Sequence, residues 1–167
     1  MIKINYHNIT HDDQNNGDGL RVVLWVSGCS HHCFKCQNPQ TWDENSGILF
    51  NINAKEEIFN QLSMDYISGI TFSGGDPLYK NNLKCISKLI DEIKEKFPNK
   101  TIWIYTGYTW EEIFSGCSEE SLIRKHIITN TDVLVDGEYI NELRDITLKW
   151  KGSSNQTPHF CNIKYFC

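Results

Sequence analysis

Residues 21–36 read RVVLWVSGCSHHCFKC, and they join the most continuous apolar run of the chain to its one group of closely spaced cysteines. The apolar and β-branched residues up to Ser27 are typical of a strand that is covered on both faces of a sheet. Cys29, Cys33 and Cys36 follow with the spacing C-x3-C-x2-C, so one loop can direct three thiolates at a single metal centre. The segment therefore predicts a buried strand that ends in a metal-binding loop.

Predicted strands and helices alternate along the rest of the chain. The strands are β-branched runs, and the helices show apolar residues at three- and four-residue steps. The strands are predicted at 69–73, 101–105, 133–135 and 147–151, and the helices begin at Asn53, Leu83, Thr109 and Ser121. This alternation indicates an α/β fold with right-handed crossovers and a mainly parallel sheet. A closed eight-stranded barrel is not expected, since it usually needs roughly 250 residues and this chain has 167.

Composition narrows the classes of function. Lys and Arg total 16 against 21 Asp and Glu, and the net charge of -5 argues against direct binding of nucleic acid. The N-terminal residues show no signal peptide and the apolar runs are too short to cross a membrane, so a cytoplasmic protein is expected. Seven cysteines, an odd number, disfavour a disulfide framework and indicate metal or redox chemistry.

Four segments that carry potential ligands each follow a predicted strand directly. They are 28–36, 74–77, 106–107 and 136–137. Because the carboxyl ends of parallel strands meet at one edge of a sheet, we expect these four loops to face a single cavity.

The cysteine triplet permits more than one interpretation. Three ligands without an obvious fourth suggest a four-iron cluster with one open coordination position, whereas an electron carrier requires a fourth protein ligand. A zinc site with His31 or His32 as the fourth ligand is an alternative, and so is a set of unrelated buried thiols. The remaining cysteines, at positions 85, 117, 161 and 167, are scattered.

Further motifs extend the pattern over most of the chain. They are NGDG at 16–19, VSGC at 26–29, SGGDPL at 73–78, WIYTGY at 103–108, DVLVDG at 132–137 and GSSNQ at 152–156. With the cysteine triplet, this ordered set resembles the radical S-adenosylmethionine superfamily and, within it, the family of anaerobic (class III) ribonucleotide reductase activating proteins.

The resemblance implies a fold, a reaction and partners. The expected fold is a single-domain partial parallel (β/α) barrel with its core at about 16–156 and a C-terminal tail at 157–167. Cys29, Cys33 and Cys36 would hold a [4Fe-4S] cluster whose fourth iron is chelated by S-adenosylmethionine. Reductive cleavage of that cofactor would place a glycyl radical on the large subunit of the reductase, with electrons from a low-potential donor such as flavodoxin. No catalytic residue beyond cluster and cofactor is implied.

The resemblance also implies cofactor contacts. Gly74, Gly75 and Asp76 occupy the place of a Gly-Gly-Glu motif that contacts the methionyl amino group, although the same residues suit an ordinary strand-to-helix turn. The other expected contacts are Lys35, Cys36 and Gln37 near the adenine, Thr106, and Asp136 near the sulfonium. Asp136 also has a simple interpretation as a turn residue.

Several residues are assigned no role in the chemistry. His31 and His32 are interpreted as solvated loop residues, and Cys161 and Cys167 as thiols of an untethered tail. The five tryptophans, at positions 25, 42, 103, 110 and 150, are interpreted as core packing. The competing functions are activation of another glycyl radical enzyme such as pyruvate formate-lyase, electron transfer without catalysis, and zinc binding.

Overall fold

The computed structural model of the chain describes residues 4–161. The strands in this range are β1 (Asn5–Asp13), β2 (Leu20–Val26), β3 (Ile48–Leu49), β4 (Ile67–Gly74), β5 (Thr101–Tyr105), β6 (Val133–Asp136) and β7 (Thr157–Phe160). The α-helices are α1 (Ile52–Leu62), α2 (Leu83–Lys96), α3 (Trp110–Ser115) and α4 (Glu119–Thr129). Short 3-10 helices span Pro39–Thr41 and Asn141–Leu143.

The strands form one mixed sheet in the order β3-β1-β2-β4-β5-β6-β7. Its centre is parallel, since β2, β4, β5 and β6 pair in parallel, whereas β1, β3 and β7 add antiparallel pairs at the two sides. The predicted α/β class is confirmed. The expectation of a mainly parallel sheet holds for this centre alone, and the partial barrel stays a prediction because the pairing order is open at both edges.

The hydrophobic core lies between the sheet and the helices. Side chains alternate between the two faces of a strand, so Ile102 and Ile104 of β5 join the core with α2 and α4, while Trp103 between them packs on the opposite face with Val133 and Val135. The inward residues of α2 recur at three- and four-residue steps and are at most 3% exposed. Burying a side chain of this size contributes about 1.5–3 kcal/mol. Within residues 4–161, none of the helices combines the length and the apolar character that a bilayer span requires.

Most predicted elements are present, with shifted ends. The helix expected from Asn53 is capped two residues earlier, because the Asn51 side chain accepts a hydrogen bond from the Ala54 N–H. The predicted capping box of Thr109 and Glu112 is confirmed at the start of α3. The helix predicted from Ser121 begins at Glu119, capped by Ser118.

Three predictions for the C-terminal part are wrong. Residues 147–151 form turns and bends instead of a strand. Residues 157–160, assigned to the tail, form β7 and pair with β6. Cys161 is likewise not an untethered thiol, because it packs against the core and its N–H donates to the Asp132 carbonyl at 2.8 Å. Cys167 lies outside the described residues.

Arg21 is fully buried at the start of β2, although no carboxylate of the described residues forms an ion pair with it. Its five hydrogen bonds go to neutral oxygens: the hydroxyls of Thr71 and Thr101 and the backbone carbonyls of Asp18, Ile70 and Thr101. Burial lowers its pKa to about 10. The guanidinium therefore ties β2 to β4, to β5 and to the loop that precedes β2.

Replacing Arg21 by Lys is expected to lower the free energy of unfolding by about 2–3 kcal/mol, because an ammonium group cannot reach this set of acceptors and leaves buried oxygens unpaired. Urea unfolding followed by circular dichroism measures the change. The matched control is Arg144→Lys, since Arg144 is exposed and its replacement should leave the midpoint unchanged. Equal midpoints for the two variants would contradict the role assigned to Arg21.

Candidate functional site

A cavity of about 530 Å³ opens at the carboxyl ends of the parallel strands. Its wall includes residues from each of the four loops singled out in the sequence, which confirms that these loops face one cavity. The lining residues that these loops contribute include Cys29, Cys33, Cys36, Gly74, Thr106 and Gly137. The volume falls within the roughly 300–1,000 Å³ that is usual for pockets that enclose a small-molecule ligand.

The cysteine loop is held at its start by the segment after it and closes with a tight turn at its end. The Gly28 N–H donates to the Thr41 carbonyl at 2.8 Å, and the Cys36 N–H donates to the Cys33 carbonyl at 3.0 Å. His32 and Lys35, which precede the second and third cysteines, adopt left-handed conformations with φ of 49° and 54°. These two reversals fold the loop tightly enough for its three half-buried thiols to reach the same cavity.

The environment of the thiols suits metal ligands better than nucleophiles. Burial and the nearby Asp76 charge raise the pKa of Cys29 to about 11, although the backbone N–H groups of His31 and His32 partly oppose this. Burial also raises the pKa of Cys33. A thiol with a raised pKa is a poor nucleophile at neutral pH, whereas a bound metal supplies the positive charge that stabilises a thiolate.

The donor set fits an iron-sulfur cluster. The Cys36 sulfur accepts a hydrogen bond from the Asn38 N–H at 3.3 Å, and the backbone N–H of Tyr139 opposes the rise in the pKa of the Cys33 thiol. Hydrogen bonds to ligand sulfurs are one means by which proteins tune such clusters. In the described range no three Cys, His, Asp or Glu side chains converge on the position of one metal ion. A four-iron cluster instead distributes its ligands over separate irons, so cysteines that line one cavity are sufficient.

Asp76 is the buried acid of the site, with 1% of its surface exposed. Its carboxylate accepts hydrogen bonds from the Thr106 hydroxyl at 2.9 Å, the Gly107 N–H at 3.0 Å and the Leu78 N–H at 2.8 Å. The carboxylate thus joins the loop after β4 to the loop after β5. Thr106, expected as a cofactor contact, donates its hydroxyl to this acid.

His31 is not a solvated loop residue, and that interpretation is corrected. Its imidazole Nε2 lies 2.9 Å from an Asp76 oxygen and its Nδ1 lies 2.8 Å from a Glu138 oxygen, with 10% of the side chain exposed. The Nε2 contact is close but poorly aligned for a hydrogen bond. Burial alone lowers the pKa of His31, but the contacts and charges of the two carboxylates outweigh it and raise the pKa to about 9. His32 is exposed and stacks on Trp42 instead.

Some of the other residues expected to contact the cofactor line the cavity, and some do not. Gly74, Gly75, Cys36 and Gln37 line the cavity, whereas Lys35 does not and holds its ammonium over the exposed Phe34 ring. The Asp136 carboxylate accepts from the Trp110 N–H at 2.7 Å and lies 3.1 Å from the His159 imidazole. The cavity wall at the end of β6 is Gly137.

Some cavity residues were missed in the sequence. Trp103, Trp110 and Trp150 pack with the core as predicted, and Trp150 also lines the cavity. Trp25 and Trp42 line the cavity instead. Exposed Arg144 and half-buried Tyr105 also line it. Tryptophan in an apolar strand has no pattern that separates a core residue from a cavity residue, so the sequence offered no signal for Trp25.

Gly75→Ala is expected to destabilise the fold by about 1–3 kcal/mol through overpacking. A Cβ at this position would lie 2.6 Å from the Gly28 carbonyl oxygen and 3.0 Å from that of Thr41, and backbone atoms cannot rotate away. The loop after β4 would move away from the cysteine loop. Thermal unfolding measures the change. The control is Gly152→Ala. Its Cβ would meet only side-chain atoms, of which the nearest lies at 3.2 Å. A Gly75 variant as stable as the control would contradict the close approach.

Comparison with known proteins gives consistent results. A family model described as a 4Fe-4S single cluster domain matches residues 15–159. A protein of Enterobacteria phage T4 named anaerobic ribonucleoside-triphosphate reductase-activating protein is 42% identical over 153 residues, which cover 92% of each chain. Proteins of the same name from Escherichia coli K12 and Haemophilus influenzae are 40% and 36% identical, over 93% of this chain and 98% and 97% of theirs.

Proposed function

The chain belongs to the family of anaerobic ribonucleoside-triphosphate reductase-activating proteins, and we propose that it activates such a reductase by generating a glycyl radical on its large subunit. The proposed cofactors are a [4Fe-4S] cluster and S-adenosylmethionine. A low-potential electron donor such as flavodoxin would supply the reducing electron. The names of the relatives favour the reductase over pyruvate formate-lyase as the protein that is activated.

One observation carries this proposal. Three half-buried thiols from a single loop line a cavity at the carboxyl ends of the parallel strands, and the same cavity offers room beside them for a small molecule. Cys29, Cys33 and Cys36 would each bind one iron, which leaves the fourth iron without a protein ligand. That arrangement distinguishes an enzyme that binds a chelating cofactor from an electron carrier with four protein ligands.

When bound, the cluster would supply the electron for reductive cleavage of S-adenosylmethionine, and the cofactor would supply the group that takes a hydrogen atom from the glycine. The proposed task of this chain's own residues is to bind and orient the cluster and the cofactor. Backbone atoms of Gly74 and Gly75 are available on the cavity wall for the methionyl group. Cys36 and Gln37 line the side on which the adenine is proposed to lie.

Asp76 and Asp136 are proposed to act mainly through their neighbours. The Asp76 carboxylate is occupied by Thr106, Gly107 and Leu78, so we infer that it holds the loops that form the cofactor site. The Asp136 carboxylate is occupied by Trp110 and His159. It fixes the end of β6, from which Gly137 reaches the cavity wall.

Electron paramagnetic resonance tests the proposed function. The reconstituted, reduced protein is mixed anaerobically with S-adenosylmethionine and an anaerobic ribonucleotide reductase. The expected result is a glycyl radical signal that is absent when either the cofactor or this protein is omitted. Formation of 5'-deoxyadenosine without a radical on the reductase would support cofactor cleavage but contradict the proposed partner.

A further inference from the structure

His31 lies between the first two cysteines of the loop, and its imidazole contacts acids from two other loops. Asp76 follows β4 and Glu138 follows β6, so the two ring nitrogens join the cysteine loop to both sides of the cavity. The Nδ1 atom forms a hydrogen bond with Glu138 and the Nε2 atom lies against Asp76, so the position and the orientation of the ring are both restricted. Since His31 is two residues from Cys29 and from Cys33, fixing the ring restricts the backbone that carries both thiols.

We propose that His31 is a positioning residue that, through its contacts with Asp76 and Glu138, holds the cysteine loop in the conformation in which Cys29 and Cys33 face the cavity. The inference rests on the proposed function, because it concerns the same iron-sulfur site. It assigns to this histidine the task of arranging ligands and no direct contact with iron.

The surroundings of the ring support this role. A Cβ on Gly107 would lie 2.5 Å from the imidazole, so the ring packs directly on the backbone after β5. The Tyr108 ring meets it edge-on, with centroids 4.7 Å apart. Asp76 is itself held by three hydrogen-bond donors and forms a fixed anchor. The imidazole is thus confined on several sides, as a positioning residue must be.

The contact with Glu138 has a second consequence. Glu138 is followed by Tyr139, whose backbone N–H opposes the rise in the pKa of the Cys33 thiol. Holding Glu138 therefore also holds this N–H group near a ligand sulfur. Hydrogen bonds to ligand sulfurs raise the reduction potential of an iron-sulfur cluster, because they stabilise the more negative reduced state.

Hydrogen exchange in the metal-free protein tests the link itself. His31→Ala is expected to increase amide exchange in residues 29–36 and 137–139 by roughly tenfold or more, as the loss of a charge-assisted hydrogen bond gives. His32→Asn is the matched control, since Asn tolerates the left-handed backbone at this position and no carboxylate of the described residues forms an ion pair with the exposed His32 ring. Exchange in residues 29–36 and 137–139 of this control should remain as in the parent protein. Equal exchange in the two variants overturns the proposal.

The reduction potential of the reconstituted cluster tests the consequence. His31→Ala and Glu138→Ala are both expected to shift it to more negative values, and the double variant should shift it no further than the larger single shift, because both remove one link. Unchanged reduction potentials overturn the proposal, and so does a double variant whose shift equals the sum of the two single shifts.

Glu138 is exposed, so its variant should fold even if His31→Ala binds no cluster. A parent protein without any cluster would refute the proposed function, while the exchange experiment would still decide the role of His31.

Discussion

Replacing Cys29, Cys33 or Cys36 by Ala is expected to abolish both assembly of the cluster and cleavage of S-adenosylmethionine. Each substitution removes one of three sulfur ligands, and neither His31 nor Asp76 is free to substitute, since they are engaged with each other. Iron and sulfide analysis after anaerobic reconstitution measures assembly, and chromatography of 5'-deoxyadenosine measures cleavage. A variant that retained full iron content and cleavage would remove its cysteine from the ligand set.

The other thiols supply the controls for this experiment. Cys85 packs against the core on α2, where burial raises its pKa to about 11, and Cys117 is exposed. Neither lines the cavity. Cys85→Ala and Cys117→Ala should therefore keep the iron content of the parent protein, and a loss of iron in either would show that the ligands have been chosen wrongly.

Asp76→Asn is expected to lower the free energy of unfolding by about 3–5 kcal/mol, which is typical when one partner of a buried charged pair is removed. The new amide N–H₂ group would face the donors of Thr106, Gly107 or Leu78, and the His31 ring would lose a buried counter-charge. A change of this size lowers the melting temperature by roughly 6–20 °C in a chain of this length. Cofactor binding should weaken too, because the loops after β4 and β5 would separate.

The control for Asp76 is Asp91→Asn, in an exposed pair with His126, which should change the melting temperature little. Calorimetry of both variants, with S-adenosylmethionine titrated into the reconstituted proteins, measures stability and affinity. If Asp76→Asn melted with the parent protein yet lost cofactor affinity, Asp76 would be a direct cofactor contact rather than a support for the loops.

The parallel centre of the fold was predictable because its strands are buried on both faces and therefore read as continuous apolar runs. The strands at the sides were not predictable, because they are not buried on both faces and show no continuous apolar run. In β1 only Tyr6 and Ile9 are buried, and the strand contains polar side chains such as Asn8 and His11. β7 is a short edge strand that contains Pro158. Proline is tolerated at an edge because its missing N–H breaks no ladder there.

The strand wrongly predicted at 147–151 was inferred from the run Thr-Leu-Lys-Trp-Lys. Trp150 instead adopts a left-handed backbone with φ of 64° and packs its ring edge-on against Trp103 from a loop. A tertiary contact with a residue 47 positions earlier overrode the local pattern, and a single sequence does not reveal such a contact.

The cysteine loop and the cavity were predictable because thiol spacing and the ends of parallel strands are local properties. The role of His31 was not, because it depends on two acids 45 and 107 positions away along the chain. In the sequence, His31 and His32 look equivalent. In the folded chain one is confined between two carboxylates and the other is exposed.

Mössbauer spectroscopy of the protein reconstituted with iron-57 tests the central claim most directly, namely that three cysteines hold a four-iron cluster with one iron open to a cofactor. The expected spectrum is that of a [4Fe-4S] cluster in which added S-adenosylmethionine changes the signal of one iron in four. A cluster whose four irons all remain unchanged on addition of the cofactor would contradict the account, and so would a protein that takes up zinc and assembles no cluster.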